Sequence, residues 1–288
     1  MNKEKLGPRF KGPTANRDDQ VIANFGAEWS RFSQSELIDA ERQAIFDDYF
    51  VNFPWDELTT DARGADIGCG SGRWAVVAAP LAGQLICVDA SAEALEVAKE
   101  NLKNHTNVSF LHSDVGELPF EDGELDFAYS LGVLHHVPDT EAAIKSVSRT
   151  LKTGAPFLLY LYYAFDNRPF WFRALWGVTD LLRRFICKLP SFLRFRVCDF
   201  IAAAIYWPLA KVALTMAALN FPLGNFPLKY YRDKSFYVMR TDALDRFGTK
   251  LEKRFSKTRI IEMLEKSGFK NIQFSTKEPF WCALAWKC

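Results

Sequence analysis

Short apolar runs alternate with helical stretches through the middle of the chain. The runs are rich in aliphatic residues and have the length of buried strands. Between them, apolar residues recur at helical spacing, at about 72–82, 91–104 and 139–152. This alternation predicts an α/β fold, in which helices cover both faces of a parallel sheet. The five predicted strands lie at 63–67, 84–89, 107–111, 125–130 and 155–162.

More elements are predicted on either side of this region. Residues 15–60 place apolar side chains at helical spacing, which predicts helices. Near the end of the chain, Ser256 is a candidate N-cap for a helix at 257–267. Two closing strands are predicted at 270–276 and 280–287.

Residues 166–235 interrupt the alternation with an aromatic and basic segment. Residues 170–188 place apolar side chains on one face and mostly charged ones on the other, which predicts a basic amphipathic helix. Residues 200–219 contain one charge, Lys211, and are long enough to span a bilayer. We expect no span, because both ends of the segment must return to the same sheet. Three roles stay open: a lid over a lipophilic ligand, an in-plane membrane contact, or a subdomain that packs on the core or on a second copy.

Composition and charge limit the class of protein to which this chain can belong. The chain has 288 residues, 49% of them hydrophobic, which is enough for a full core, and a net charge of +1. That charge is unevenly spread, since residues 166–234 hold eleven Lys/Arg and four Asp/Glu. The six cysteines lack paired spacing, so we expect no metal site. Residues 1–14 have no apolar core, so we expect no signal peptide and a cytoplasmic location.

A glycine-rich turn follows the first predicted strand and gives the strongest chemical signal. Its glycines are Gly68, Gly70 and Gly72. They permit a sharp strand-to-helix turn against which a ligand can lie. A pyrophosphate binder would have its third glycine at position 73, where this chain has Arg73. Asp66 precedes the turn and suits a ligand with a cationic amine, while Asp89 ends the next strand, where an acid accepts ribose hydroxyls.

Further segments agree in order and spacing with one family. They are 85–91, 112–120, 127–139 and 151–155. Together with the turn, they resemble class I S-adenosylmethionine-dependent methyltransferases, in particular the small-molecule group that includes the ubiquinone and menaquinone C-methylases. At 151–155 the chain reads Leu-Lys-Thr-Gly-Ala, where the family usually has Lys-Pro-Gly-Gly. The resemblance covers residues from about 61 to 165 and 236 to 288.

The resemblance implies an architecture and a division of the chain. The implied fold is a Rossmann-like, doubly wound, seven-stranded sheet with one antiparallel strand, an N-terminal helical cap and a helical insertion after strand five. Residues 1–60 would form the tail and cap, 61–165 with 236–288 the cofactor-binding core, and 166–235 the basic aromatic insertion.

The resemblance also implies a cofactor site for S-adenosylmethionine, which leaves as S-adenosylhomocysteine. The glycine turn would admit the methionine part, Asp66 would face the ammonium and Asp89 the ribose. Asp114 would read the adenine edge together with the amide of Val115. The implied cofactor residues are Asp66, Gly68, Gly70, Gly72, Asp89, Ala90, Asp114, Val115, Ser130 and Leu131.

Candidate catalytic and acceptor residues follow strands four and five. His135 and His136 are candidate general bases, because imidazole titrates near neutrality. A structural or loop-ordering role for this pair is equally open. Side chains that could shape the acceptor pocket are Tyr160, Tyr162, Tyr230 and Arg232.

The leading functional hypothesis is methyl transfer to a lipophilic small molecule, such as a quinone precursor, a lipid or a secondary metabolite. Methylation of RNA or protein is an alternative, and a non-catalytic membrane or partner scaffold is another. We expect no nucleic-acid partner, while a peripheral membrane contact through the insertion and a homodimer both stay open. The sequence does not identify the acceptor or its reacting atom.

Overall fold

A seven-stranded sheet forms the centre of the molecule in this computed structural model, which describes residues 16–288. The strand order is β3-β2-β1-β4-β5-β7-β6. Strands β1 to β5 are parallel, and β7 runs antiparallel between β5 and β6. The strands are β1 Arg63–Ile67, β2 Gln84–Asp89, β3 Val108–His112, β4 Phe127–Leu131, β5 Pro156–Tyr160, β6 Phe269–Phe274 and β7 Cys282–Lys287.

Ten α-helices accompany the sheet in the described part of the chain. They are α1 Asp19–Arg31, α2 Asp39–Phe50, α3 Ala75–Ala78, α4 Ala92–Asn101, α5 Thr140–Thr150, α6 Phe170–Ile186, α7 Ser191–Ile201, α8 Trp207–Ala218, α9 Phe236–Gly248 and α10 Lys257–Lys266. Helices α5 and α10 pack on one face of the sheet, and most of the others pack on the opposite face. Successive side chains of a strand point to opposite faces of the sheet. In β4, Ala128 therefore belongs to the core on one face and Tyr129 to the core on the other.

The predicted fold class is confirmed, and so is the antiparallel strand. Ser256 caps α10 by accepting a hydrogen bond from the amide of Arg259 at 3.2 Å. The helix expected at 72–82 is wrong in extent, because regular α-helix covers only α3. Gly72 has a φ of +74°, which excludes it from a right-handed first turn, and Pro80 lies in a 3₁₀ turn that ends the segment. Residues 1–15 of the predicted tail lie outside the described residues.

The segment after β5 contains α6 and a long continuous helix. Helices α7 and α8 are joined through one π-helical turn, Ala202–Tyr206. The joined helix, Ser191–Ala218, is the one described helix that is long and apolar enough to cross a membrane, and 28% of its most apolar window is buried. Helix α6 is amphipathic as predicted, but two of its charged residues, Asp180 and Arg183, are buried on its inward side, while part of its apolar face is exposed.

Candidate active site

A cavity of about 710 Å³ opens at the carboxyl ends of β1, β2 and β4. This edge is where parallel α/β sheets bind ligands, and ligand cavities span roughly 300–1,000 Å³. One side of the cavity, here called the strand wall, is formed by residues between 67 and 137. The opposite side, the helix wall, is formed by α1, α6, α8 and α9 with residues 160–165 and 226–231.

The glycine turn lies on the strand wall and requires glycine. Gly68 and Gly70 have φ values of +79° and +54°, in the left-handed region. A Cβ at Gly68 would lie 2.4 Å from the side chain of Val133, and one at Gly70 would lie 2.8 Å from the indole of Trp29. Trp29 belongs to α1, so the N-terminal helix covers the turn and closes this end of the cavity.

Asp89 ends β2 and holds the turn in place. One of its carboxylate oxygens accepts the Gly70 amide and the other accepts the Ser91 amide, each at 2.8 Å. Burial raises the pKa of Asp89, and these two hydrogen bonds oppose the increase. Ser91, not Asp89, caps α4. Each oxygen of Asp89 keeps a lone pair, so the carboxylate can accept two neighbouring hydroxyl groups of a ligand.

Asp66 lies inside β1 and is 1% exposed. Its Oδ2 has no hydrogen-bond partner within residues 16–288, and burial raises its pKa to about 8. The carboxyl group is therefore mostly protonated at neutral pH until a cation approaches. Asp66 is not part of the cavity wall, so contact with a ligand needs a bridging water or a small movement.

Other predicted cofactor residues divide into two groups. Ala90, Asp114, Val115 and Leu131 line the strand wall. Asp114 also caps a 3₁₀ turn by accepting the Gly116 amide at 2.8 Å. Gly72 and Ser130 lie off the wall. Ser130 is fully buried and donates to the carbonyl of Ile67 at 2.8 Å, so it joins β4 to β1 beneath the cavity.

The two histidines occupy different positions. His135 is fully buried, lies off the cavity wall and stacks on Tyr162, with ring centroids 3.9 Å apart. Burial holds its pKa well below the usual range, so the ring stays neutral. His136 lines the cavity, and its pKa is lowered to about 4, mainly by burial. Its Nδ1 lies 2.6 Å from the carbonyl of Leu251, which can only accept, so Nδ1 carries the proton.

Three carboxyl groups on the helix wall were not predicted from the sequence. Glu28 of α1 and Asp242 and Asp245 of α9 all line the cavity. Burial raises the pKa of both aspartates to about 6 and that of Glu28 well above its ordinary value. The one weak signal in the sequence was the spacing of Asp242 and Asp245, which places two acids on one side of a helix.

One carboxylate oxygen of Asp245 accepts a hydrogen bond, and the other has no hydrogen-bond partner among the described residues. Its Oδ2 accepts the phenolic proton of Tyr162. Its Oδ1 has no hydrogen-bond partner among the described residues and lies 3.8 Å from Nε2 of His136. Asp242 is held in a similar way, because its Oδ2 accepts the hydroxyl of Tyr231 at 2.9 Å, but neither of its oxygens is among the buried atoms without a hydrogen-bond partner. A free, buried carboxylate oxygen with a raised pKa is suited to accept a proton from a ligand.

The predicted acceptor residues are mostly brought to the cavity. Tyr160, Tyr162 and Tyr230 line it. Arg232 does not; it forms an ion pair with Asp233 at 3.0 Å outside the wall. Arg73, which occupies the position of the missing third glycine, lines the cavity and lies over the ring of Trp74 at 4.1 Å.

Comparison with known proteins identifies the segment that forms the strand wall. Residues 65–159 match the family model described as a methyltransferase domain. The chain contains a class I S-adenosylmethionine-dependent methyltransferase domain. Demethylmenaquinone methyltransferase of Staphylococcus aureus (strain MRSA252) is 37% identical to this domain over 95 residues, which are 32% of this chain and 39% of that enzyme. The match therefore spans about two fifths of the relatives' length.

A solved structure agrees with the fold over a longer stretch than the methyltransferase domain alone. It is the complex between the Haloferax volcanii Trm112 methyltransferase activator and a methyltransferase. The likeness covers 91% of this chain and 96% of that chain, with a TM-score of 0.51 and 13% sequence identity. It supports the fold and gives no information on the acceptor.

The residues of the methyltransferase domain fit its cofactor. S-adenosylmethionine has two ribose hydroxyls and an ammonium group. Asp89 offers two carboxylate oxygens at the cavity wall, and the orphaned Oδ2 of Asp66 lies behind the turn. Gly68 and Gly70 of the turn belong to the same wall and bring backbone without a side chain to the cavity.

Proposed function

We propose that this chain transfers a methyl group from S-adenosylmethionine to a lipophilic small molecule. The observation that supports this proposal is the apolar and aromatic character of the helix wall. An apolar acceptor gains roughly 25 cal/mol for each Å² that it removes from water. The curated relatives match only the methyltransferase domain, so the acceptor class is argued from the cavity itself. The apolar wall residues include Phe165, Phe172, Trp176, Leu209, Phe226 and Leu228.

The cofactor would be held by the strand wall. Asp89 would accept the ribose hydroxyls, Asp114 with the Val115 amide would read the adenine, and Asp66 would balance the ammonium. When bound, S-adenosylmethionine supplies a methyl group on a sulfonium, whose thioether product is a neutral leaving group. The protein's main task is then to align the acceptor with that methyl group.

Asp245 is our candidate general base, in place of the two histidines. Asp245 lines the cavity, and its Oδ1, which has no partner within residues 16–288 and lies beside His136, would take a proton from an acceptor hydroxyl or an acidic carbon. Its pKa of about 6 leaves it mostly ionised at neutral pH but more basic than an ordinary aspartate. His135 is excluded from this role by its position behind Tyr162 and off the cavity wall.

Tyr162 and His136 would act as positioning residues for Asp245. The hydroxyl of Tyr162 donates to Oδ2 and fixes the orientation of the carboxylate. His136 is held by the carbonyl of Leu251, with the lone pair of Nε2 on the side of Asp245. Because a lone pair cannot donate, His136 leaves Oδ1 free for the acceptor.

The charge of the cavity argues against a polyanionic acceptor. Its described lining carries seven Asp/Glu and six Lys/Arg, so it has no excess of cations that would hold a chain of phosphates. The basic segment after β5 therefore does not make the cavity a nucleic-acid site. A cytoplasmic location remains our proposal, and it rests on residues 1–14 and not on the methyltransferase domain.

The test is incubation with methyl-labelled S-adenosylmethionine and a whole-cell extract of the source organism. We expect label in the organic phase, from which the acceptor can be identified by mass. The Asp89→Ala variant, with its weakened cofactor site, serves as the matched control and should transfer little label at S-adenosylmethionine concentrations well below its saturation. Label recovered in precipitated RNA or protein would overturn the proposed acceptor class, and no transfer to any fraction would overturn the activity.

A further inference from the structure

Helix α6 presents an apolar face to the solvent. Trp171, Val178 and Phe185 follow one another at seven-residue spacing, and between 51% and 64% of each is exposed. Phe170 and Leu181 extend the same face and are 77% and 57% exposed. A helix on the surface of a water-soluble domain ordinarily turns such a face toward the core. Here the apolar face lacks any covering element within residues 16–288.

The inward side of α6 explains this orientation. Arg183 is 6% exposed and donates to Asp180, to the carbonyl of Thr249 at 2.8 Å and to that of Lys250 at 3.1 Å. These buried charge-assisted hydrogen bonds fix the rotation of the helix about its axis. The apolar face is therefore held outward by the fold, and its exposure is not the result of a loose helix.

The same face forms part of the cavity mouth. Leu175 and Leu182 of α6 line the cavity, and so does Ile205 of the π-helical turn before α8. Each is also about half exposed, at 46%, 52% and 47%. Side chains that belong both to the wall and to the surface mark the rim of an opening. The cavity thus opens between α6 and the long helix, onto the apolar face.

The segment that carries this face has an excess of positive charge. Residues 170–219 contain seven Lys/Arg and two Asp/Glu. Both acids are engaged, Asp180 with Arg183 and Asp199 with Arg31 and Arg240. Four exposed cations have no carboxylate within 4 Å among the described residues, namely Arg173, Lys188, Arg196 and Lys211. Such an apolar face with a cationic border matches an anionic lipid surface.

We propose that the apolar face of α6, together with the long helix, docks in the plane of an anionic bilayer, and that the acceptor enters the cavity directly from the lipid. The second part rests on the proposed function, in which the acceptor is lipophilic. A second copy of the chain is a poorer occupant, because a two-fold contact through this face would bring its unpaired cations against themselves. The long helix lies along the surface, since both of its ends return to the same sheet.

The test is flotation with vesicles of phosphatidylcholine alone or mixed with equal phosphatidylglycerol. The variant Trp171→Gln/Val178→Gln/Phe185→Gln changes exposed residues that are not part of the cavity wall. We expect the wild type to float with the mixed vesicles and the variant to bind them at least about 100-fold more weakly. The matched control, Ile38→Gln/Val51→Gln/Leu81→Gln, removes equally exposed apolar side chains elsewhere and should float like the wild type.

Charge and self-association are tested with the same samples. Arg173→Gln/Lys188→Gln should reduce binding to mixed vesicles by roughly fivefold for each cation. A wild type that stays with the soluble fraction, or floats equally with neutral vesicles, would overturn the proposal. So would a dimer, measured by sedimentation, that the triple variant dissociates.

Failure here is distinguishable from failure of the proposed function. Cofactor binding and label transfer to a detergent-solubilised extract need no vesicle. If both persist while flotation fails, the membrane contact is wrong and the activity stands. If flotation succeeds without methyl transfer to any extract, the activity is wrong and the surface is a lipid contact alone.

Discussion

The two walls of the cavity are built in different ways. The strand wall comes from one continuous stretch of about 70 residues, in which Gly68 and Gly70 bring backbone, and Asp89 and Asp114 bring side chains, to the cavity. The helix wall collects side chains from α1, α6, α8 and α9, which are up to about 220 residues apart in the chain. One wall is thus a local motif and the other is a product of tertiary packing.

This difference suggests that the two walls bind different ligands. A wall built from one local motif, with glycines at positive φ, tolerates little change and suits a ligand that never changes, such as a cofactor. A wall defined by side chains from separate helices can be altered one residue at a time, and it suits the acceptor. Substitutions on the two walls should therefore affect different steps, binding of cofactor on one side and turnover or acceptor affinity on the other.

The largest expected effect lies on the helix wall. Asp245→Asn should lower turnover by roughly 100- to 10,000-fold, because the general base is lost, while affinity for S-adenosylmethionine stays unchanged. Turnover is measured as label transfer to the organic phase and affinity by calorimetry. Equal losses in both quantities would contradict the separation of the walls.

Two controls distinguish loss of the base from loss of the fold. Asp242→Asn changes the neighbouring acid of α9, which has no buried oxygen without a hydrogen-bond partner among the described residues, and should cost much less turnover. Because burial raises the pKa of Asp245, its ionisation destabilises the native state as the pH rises from about 4 to 6. Asp245→Asn should therefore be at least as stable as the wild type at pH 8, measured by thermal unfolding.

The corresponding change on the strand wall is Asp89→Ala. It should weaken binding of S-adenosylmethionine by roughly 10- to 100-fold, because a charge-assisted bidentate contact is lost. Turnover at saturating cofactor should change far less. Glu96→Ala, at an exposed acid on α4, is the control and should bind the cofactor normally. Unchanged affinity in Asp89→Ala would contradict the assignment of the ribose site.

The sequence predicted the two walls unequally, and for a physical reason. The strands and the turn have local signals, so β1, β2, Gly68 and Asp89 were found directly. Glu28, Asp242 and Asp245 have no such signal, because an acid on a helix is most often solvated, and only packing turns these three inward. The histidine pair followed the family pattern, but packing placed His135 behind Tyr162, off the wall.

The orientation of α6 could not be predicted from the spacing of its apolar residues either. The spacing of its apolar residues predicts a two-sided helix but does not say which side faces the protein. That choice depends on Arg183, whose hydrogen bonds to the carbonyls of Thr249 and Lys250 are made across more than 60 residues of sequence.

Turnover and affinity for S-adenosylmethionine should depend on pH in different ways, because each is controlled by an acid on a different side of the cavity. At saturating cofactor, turnover should fall about tenfold for each pH unit below about 6, because protonated Asp245 cannot act as a base. Affinity for S-adenosylmethionine should instead decline as the pH falls below about 8, because a proton on Asp66 competes with the ammonium. Asp66→Asn should flatten the second profile and leave the first in place. A single shared profile would mean that one group controls both steps.

The smallest expected effect concerns the apolar part of the helix wall. Leu209→Ala removes a wall side chain of α8 and should raise KM for the lipophilic acceptor by roughly fivefold to tenfold. Cofactor affinity and kcat should stay near those of the wild type, because the lost contact binds ground state and transition state alike. The control is Leu214→Ala on the same helix, whose side chain is exposed and lies off the wall. A fall in kcat with unchanged KM would place Leu209 in alignment of the reacting groups, and the helix wall would then position the acceptor as well as attract it.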